Sequence, residues 1–314
     1  RHGRCAVGIG GAADPGALGA ARHCGPTGGR AGARSQRIEC GFEQQFADQR
    51  GGVAVSTPAP TWLQLDERDD HYLGLAGANV VATPALLSLH ENLADVVEQR
   101  AMMCVHGDAG LGKTLSVNAA LRALAPAAVC RVQFRARPTP RDIRHVLFEA
   151  LGIGGSPPTR PIEFDTLLKD ALAERFRVLV CDEAQWLSRE CFELWRHLWD
   201  DRRTQIAIVF VGGGDCYRVL RREPMLASRV YVWQEFRRLT REQVLAVIPA
   251  YHPVWADAEA ADIAYTDAQA GHGNFRAWSK ITSHVVTGLV RLQRDVADRD
   301  VLQWAFSRLS GRSG

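Results

Sequence analysis

Gly107, Gly112, Lys113 and Thr114 stand in the stretch VHGDAGLGKTLS at the spacing G-x-x-x-x-G-K-[ST], with Gly110 as an additional glycine. Residues of these types at this spacing can wrap a polyphosphate. The glycines let successive backbone N–H groups converge on one phosphate with no Cβ in the way. A helix starting just after them adds the partial positive charge of its N-terminus. Lys113 is placed to bridge the β- and γ-phosphates, and Thr114 to offer its hydroxyl to Mg²⁺. The expected cofactors are therefore ATP and Mg²⁺, with nucleotide contacts from Gly107, Asp108, Ala109, Gly110, Leu111, Gly112, Lys113, Thr114 and Leu115.

A lysine loop of this kind calls for an acidic partner at the end of an apolar strand, and RVLVCDEAQWL provides one. Asp182 is expected to hold the metal, and Glu183 to orient and deprotonate an attacking water. Two adjacent carboxylates at the tip of a buried strand would repel each other without a cation between them.

The elements that must position these groups are legible from periodicity. MMCV, AAVCRVQF, RVLVC, QIAIVFV and VYVW are short β-rich runs, each separated from the next by sequence of helical period. Leu86, Leu89, Leu93, Val96 and Val97 form one helical stripe, with Thr83 as N-cap and Pro84 at the first position. Phe164, Leu167, Leu168, Ala171 and Leu172 form a second, and Cys191, Leu194, Trp195, Leu198 and Trp199 a third. Strands alternating with helices predict an α/β fold whose mainly parallel sheet is covered on both faces. After VYVW only helical patterns follow, which predicts a small helical domain. The expected division is a Gly/Ala/Arg-rich disordered segment over residues 1–58, a nucleotide-binding core over 59–236 and a helical lid with C-terminal helices over 237–314.

Composition narrows the class further. The 314 residues, 46% hydrophobic, suffice for one large domain or two modest ones. A net charge of +3 is compatible with a nucleic-acid partner without demanding one. Among the eight cysteines there is no C-x-x-C pair and no zinc-ligand spacing, and Cys104, Cys130 and Cys181 sit in apolar runs as small buried groups. The eight tryptophans, among them Trp186, Trp195 and Trp199, read as core or interface anchors. No run of about 18 apolar residues and no secretory leader is seen, so a cytoplasmic location without membrane contact is expected. The first residues, which lack a methionine, could also derive from a reading frame opened too far upstream, with the true start near VAVSTPAP. An intact-mass measurement of the native protein distinguishes the two.

Taken in order, GDAGLGKT, LVCDEAQWLS, VGGGDCYRVLRREPMLASRV and GHGNFRAW resemble the AAA+ ATPases of the branch holding the transposition-accessory proteins TniB, TnsC and Mu B and the ExeA-type ATPases. The likeness spans about residues 80 to 285. It implies a P-loop NTPase core with a lid, Mg·ATP hydrolysis, and homo-oligomers in rings or filaments. Arg229 of MLASR would then complete a neighbouring subunit's site, and Arg276 of GNFR would be the lid arginine that senses nucleotide. Without the resemblance, Arg229 could equally form a local salt bridge and Arg276 a surface charge. One departure is Gly213, where such proteins carry Thr or Asn to position water. Asp215 or a backbone group must substitute, or hydrolysis is slow.

Arg131, Arg135, Arg137, Arg141 and Arg144 crowd the second strand and the following helix, TPRDIRHVLFEALG. The related transposition proteins contact DNA in this region, so Arg135, Arg137 and Arg141 are candidate phosphate contacts. A solvated basic face is the alternative. Two functional readings stay open: a regulator that assembles on double-stranded DNA and recruits a transposase, and an ExeA-like or signalling ATPase switch acting on protein partners without DNA. ExeA-like ATPases would carry a membrane span or wall-binding extension and signalling ATPases a long sensor array. The chain shows neither, which favours the first.

Overall fold

The computed structural model of the chain describes residues 72–134 and 137–309. The expected disordered segment over 1–58 and the candidate contact Arg135 lie outside the described residues. Five strands form one sheet: β1 (Met102–Gly107), β2 (Val129–Val132), β3 (Arg177–Cys181), β4 (Ile206–Val211) and β5 (Val230–Phe236). Their order is β2-β3-β4-β1-β5, and every pairing is parallel. A parallel sheet needs crossovers, which the helices α1 (Pro84–Glu98), α2 (Lys113–Leu124), α3 (Pro140–Ala150), α4 (Pro161–Glu174), α5 (Arg189–Trp199), α6 (Cys216–Arg221) and α7 (Pro224–Ala227) provide or flank. The expected run AAVCRVQF yields only the four residues of β2, because from Gln133 on the chain leaves the sheet edge.

The period-2 alternation of the strands sorts the core into two layers. Met102, Cys104, Leu179, Cys181, Ile208 and Phe210 face α3, α4 and α5, where Trp195 is fully buried. Met103, Val105, Val178, Val180, Val209 and Val211 face α1 and α2. Each buried aliphatic side chain contributes about 1.5–3 kcal/mol relative to exposure, so these two layers hold the strand tips rigidly where the chemistry must sit. The cysteines at 104, 130, 181, 191 and 216 are buried thiols within this core. Of the tryptophans read as core or interface anchors, Trp195 is in the core and Trp186 is half exposed outside it.

Local signals set the helix ends. Thr83 caps α1 by accepting the Leu86 N–H, with Pro84 at the first position. Thr139 and Asp142 form a reciprocal capping box on α3, and Gly152 at φ 67 follows its end. A cap of this type is worth about 1 kcal/mol.

Beyond Phe236 the described chain is helical: α8 (Arg241–Tyr251), α9 (Ala260–Thr266) continued by a π turn (Asp267–Gly271), α10 (Phe275–Leu292) and α11 (Arg299–Leu309). They share a core of Val244, Ile248, Trp255, Ile263, Trp278 and Ile281. Trp255 and Trp278 meet edge to face at 5.3 Å, and Trp255 Nε1 donates to Thr282. No helix among the described residues is long and apolar enough to cross a membrane.

Candidate nucleotide site

Because all strands are parallel, the segments leaving β1, β3 and β4 emerge along one edge of the sheet, and a cleft of about 540 Å³ lies there. That volume is in the range of sites for ligands of nucleotide size. Ala109 through Ser116 line one side, Asp182, Glu183, Gln185, Gly212 and Gly213 a second, and Phe275, Arg276 and Ser279 of α10 a third. Gly107 and Asp108, expected to contact nucleotide, are not among the lining residues. A Cβ on Gly107, which has φ 143, would lie 2.2 Å from the Phe236 carbonyl oxygen, so only glycine lets β1 turn there beside β5. A Cβ on Gly110 would strike Asn274 Oδ1 at 2.5 Å and Arg276 Cβ at 2.7 Å.

Lys113 opens α2, and its side chain folds back into the loop. The ammonium donates to the carbonyls of Gly107 at 2.8 Å and Asp108 at 2.7 Å, and the residue is only 8% exposed. Burial lowers its pKa from the ordinary lysine value. The nearby Asp182 and Glu183 oppose that shift, and Arg276 adds to it. The Thr114 hydroxyl donates to Asp182 Oδ2 at 3.1 Å, bringing the two expected metal ligands together across 68 residues of sequence. Among the described residues no cluster of three or more His, Cys, Asp or Glu side chains could hold a metal. One carboxylate beside one hydroxyl at a phosphate loop is nevertheless what Mg²⁺ accepts, since it keeps several waters and takes phosphate oxygens as further ligands. The donors therefore fit a phosphate-bound Mg²⁺.

Glu183 follows at φ 55, the left-handed region, which non-glycine residues enter rarely. Its N–H donates to Asp182 Oδ1 at 2.8 Å, and its carboxylate accepts from the Gln185 amide. Gly213 donates its N–H to Gln185 Oε1 at 2.9 Å. Asp215, one expected substitute for a polar residue at 213, instead pairs with Arg218 outside the cleft lining.

The helical C-terminal region reaches the loop through main-chain and side-chain bonds. Arg276 N–H donates to the Gly110 carbonyl at 3.1 Å, and Asn274 Nδ2 donates to the Ala109 carbonyl at 2.9 Å. Asn274 also caps α10 by accepting the Ala277 N–H. Asn79, Val80, Val81 and Tyr251 also line the cleft and add an apolar and amide-bearing wall. Gln185, Asn274 and this wall were not anticipated. A polar residue before a helix signals a cap, and nothing in the spacing signals its bond to a loop 165 residues away.

Arg229 is not brought into this cleft. Its guanidinium makes a paired contact with Asp200, Nε at 2.6 Å and Nη2 at 2.9 Å, and a further bond to the Met225 carbonyl. Burial acts to raise the Asp200 carboxyl pKa, but the hydrogen bonds and charges of Arg229 and Arg196 outweigh it, and the value falls below the usual range. In the basic segment, Arg131 bonds Asn118 and Arg144 forms a two-point pair with Asp165, so both are engaged within the fold. Arg137 and Arg141 are exposed, with the Arg137 guanidinium 5.9 Å from the Trp186 ring centroid.

Comparison with known proteins bears on this arrangement. Residues 96–220 match the family model of an AAA domain. The five-stranded parallel sheet with flanking helices and a helical C-terminal region is the P-loop AAA+ NTPase fold. A sequence comparison with curated proteins returned no match. Among solved structures, Cdc6p from Pyrobaculum aerophilum is 17% identical with a TM-score of 0.56, covering 69% of this chain and 65% of its own. ORC1 from Aeropyrum pernix, solved in complex with DNA, is 17% identical with a TM-score of 0.57, covering 73% and 66%. The Holliday junction branch migration motor RuvB of Thermotoga maritima is 15% identical with a TM-score of 0.51, covering 73% and 70%. The chain thus spans just under two thirds of the Cdc6p and ORC1 chains. At these identities the likeness is one of fold.

Proposed function

We propose that the protein is a Mg·ATP-dependent AAA+ ATPase with slow turnover, whose nucleotide state controls its own assembly on double-stranded DNA and which recruits a transposase as a regulator of transposition. The observation that carries the ATPase reading is the convergence in one cleft of the Lys113 ammonium, the Thr114–Asp182 pair and Glu183. In this reading Thr114 and Asp182 hold Mg²⁺, which when bound neutralises phosphate charge. Lys113 exchanges the carbonyls of Gly107 and Asp108 for β- and γ-phosphate oxygens. Glu183 accepts the proton of the attacking water, and Arg276 reaches the phosphates from the lid. Residues 59–236 act as the nucleotide core and 237–314 as the lid and C-terminal helices.

Arg229 acts on the cleft of a neighbouring copy in a ring or filament, which requires its release from Asp200. The DNA part draws support from Arg137 and Arg141, exposed after β2 on the same sheet edge as the cleft, and from structural neighbours solved on DNA. A cytoplasmic location, with no membrane partner, accords with such a role. A second reading, an ExeA-like or signalling switch acting on proteins without DNA, is favoured by the engagement of Arg131 and Arg144 inside the fold.

The deciding experiment is duplex DNA binding by the purified chain with Mg²⁺ and ATP, ADP or no nucleotide, across a salt series. ATP-gated binding that weakens steeply with salt and accompanies multimer formation is expected. ATP binding with no DNA binding at low salt overturns the DNA reading and leaves the switch.

A further inference from the structure

Strand β4 ends at Val211 and is followed by Gly212, Gly213 and Gly214, so the chain arrives beside the cleft with no side chain to contribute. The space next to Gly213 is nonetheless occupied. A Cβ on Gly213 would lie 3.6 Å from Gln185 Nε2, 3.7 Å from its Cδ and 3.9 Å from its Oε1, all ordinary van der Waals contacts. Gln185 belongs to the short turn Ala184–Trp186 directly after the carboxylate pair, and it lines the cleft. Its Oε1 accepts the Gly213 N–H, and its Nε2 donates to Glu183 Oε2. The two partners fix the orientation of the amide. A backbone N–H needs an acceptor and a carboxylate oxygen a donor, so one of the two flips satisfies both.

We infer that Gln185 is a positioning residue for hydrolysis: its amide ties the Glu183 carboxylate to the end of β4 and supplies the polar side-chain group that Gly213 lacks. The inference deepens the proposed ATPase activity and rests on it. Glu183 is held from two directions, its left-handed backbone by the bond to Asp182 and its carboxylate by Gln185. A strained conformation of this kind persists where the surroundings impose it, and at a reacting centre the imposed geometry is what the chemistry uses. Cutting Gln185 back to alanine leaves the glutamate backbone in place and frees its side chain to sample other rotamers. It also empties the volume toward which a side chain at 213 would point, so a polar residue there can take over the lost contact.

The test uses the full chain with Mg·ATP and measures ATP affinity by equilibrium binding, the single-turnover hydrolysis rate and the melting temperature. Gln185→Ala is expected to leave the ATP dissociation constant within about twofold while slowing hydrolysis roughly a hundredfold, the scale for a reacting group displaced by about 1 Å. Gln185→Glu keeps the side-chain shape, sets a second carboxylate against Glu183 and slows hydrolysis as well. Adding Gly213→Asn to Gln185→Ala is expected to recover about tenfold or more of the rate by restoring an amide to the same volume. A Gln185→Ala or Gln185→Glu chain that binds ATP and hydrolyses it within about threefold of wild type overturns the inference and leaves the ATPase reading standing. So does a double variant no faster than Gln185→Ala. Loss of ATP affinity or of melting temperature in parallel with the rate marks a merely structural residue and also overturns it. A wild-type chain that fails to bind ATP overturns the ATPase reading itself.

Discussion

The phosphate loop and the arginine segment stand at the same edge of the sheet, one after β1 and the other after β2, yet their cations are treated in opposite ways. Lys113 is buried and bonded to two carbonyls of its own loop, so its position is set before any ligand arrives. Arg137 and Arg141 remain exposed, and Arg137 lies over the half-exposed Trp186 ring. A buried, preset cation recognises one phosphate geometry and is weakly screened. Exposed, rotatable ones can follow a backbone of varying course and lose strength as salt rises. On the proposed function, the first arrangement serves chemistry on one phosphate group and the second the holding of a long polyanion.

The sharpest break of that contrast is Lys113→Ala. It is expected to weaken ATP binding by about a hundredfold or more in a nucleotide titration, because a charge-assisted contact and its buried setting are both lost. Affinity within a few-fold of wild type would remove the loop from the phosphate role. Next comes Arg229→Ala, for which a role in a neighbour's cleft predicts about a thousandfold slower hydrolysis by the assembled protein with ATP affinity unchanged. Mixing Arg229→Ala with Lys113→Ala chains should then recover part of the activity, since each provides what the other lacks; no recovery would confine Arg229 to its ion pair with Asp200. The mildest change is Arg137→Ala with Arg141→Ala. It should lower duplex affinity and flatten the dependence of log affinity on log salt by about 1.8 if both contact phosphates. Hydrolysis without DNA should stay within about twofold. An unchanged salt slope would make these arginines a solvated face.

The strands and the cleft loop were legible because each is a local pattern. Short apolar runs alternating with stretches of helical period read as buried strands of a covered parallel sheet, and the glycine spacing before Lys113 announces its own turn. Asp182 and Thr114 are 68 residues apart, but both follow from position, one at a strand end and one at a helix start. Gln185 was not legible, since its importance depends on the end of β4 approaching the turn after β3 within hydrogen-bond distance of Gly213. The same holds for Asn274, which the sequence did not single out and which both caps α10 and bonds the Ala109 carbonyl of the loop. Arg131 and Arg144 looked like members of a basic face because sequence shows where charges cluster and not where their partners fold to meet them.

The bonds from Asn274 and Arg276 to the carbonyls of Ala109 and Gly110 have a mechanical consequence. They lie at the first turn of α10, whose 18 residues extend about 27 Å, and α11 packs along that helix. The phosphate loop is therefore a fulcrum. A tilt of about 10° imposed there as phosphates enter or leave would carry the far end of α10 through about 5 Å, a displacement close to one helical turn. On the proposed function, a change of sub-ångström size at the loop would by leverage alone become a stroke of several ångströms at the far end of α10.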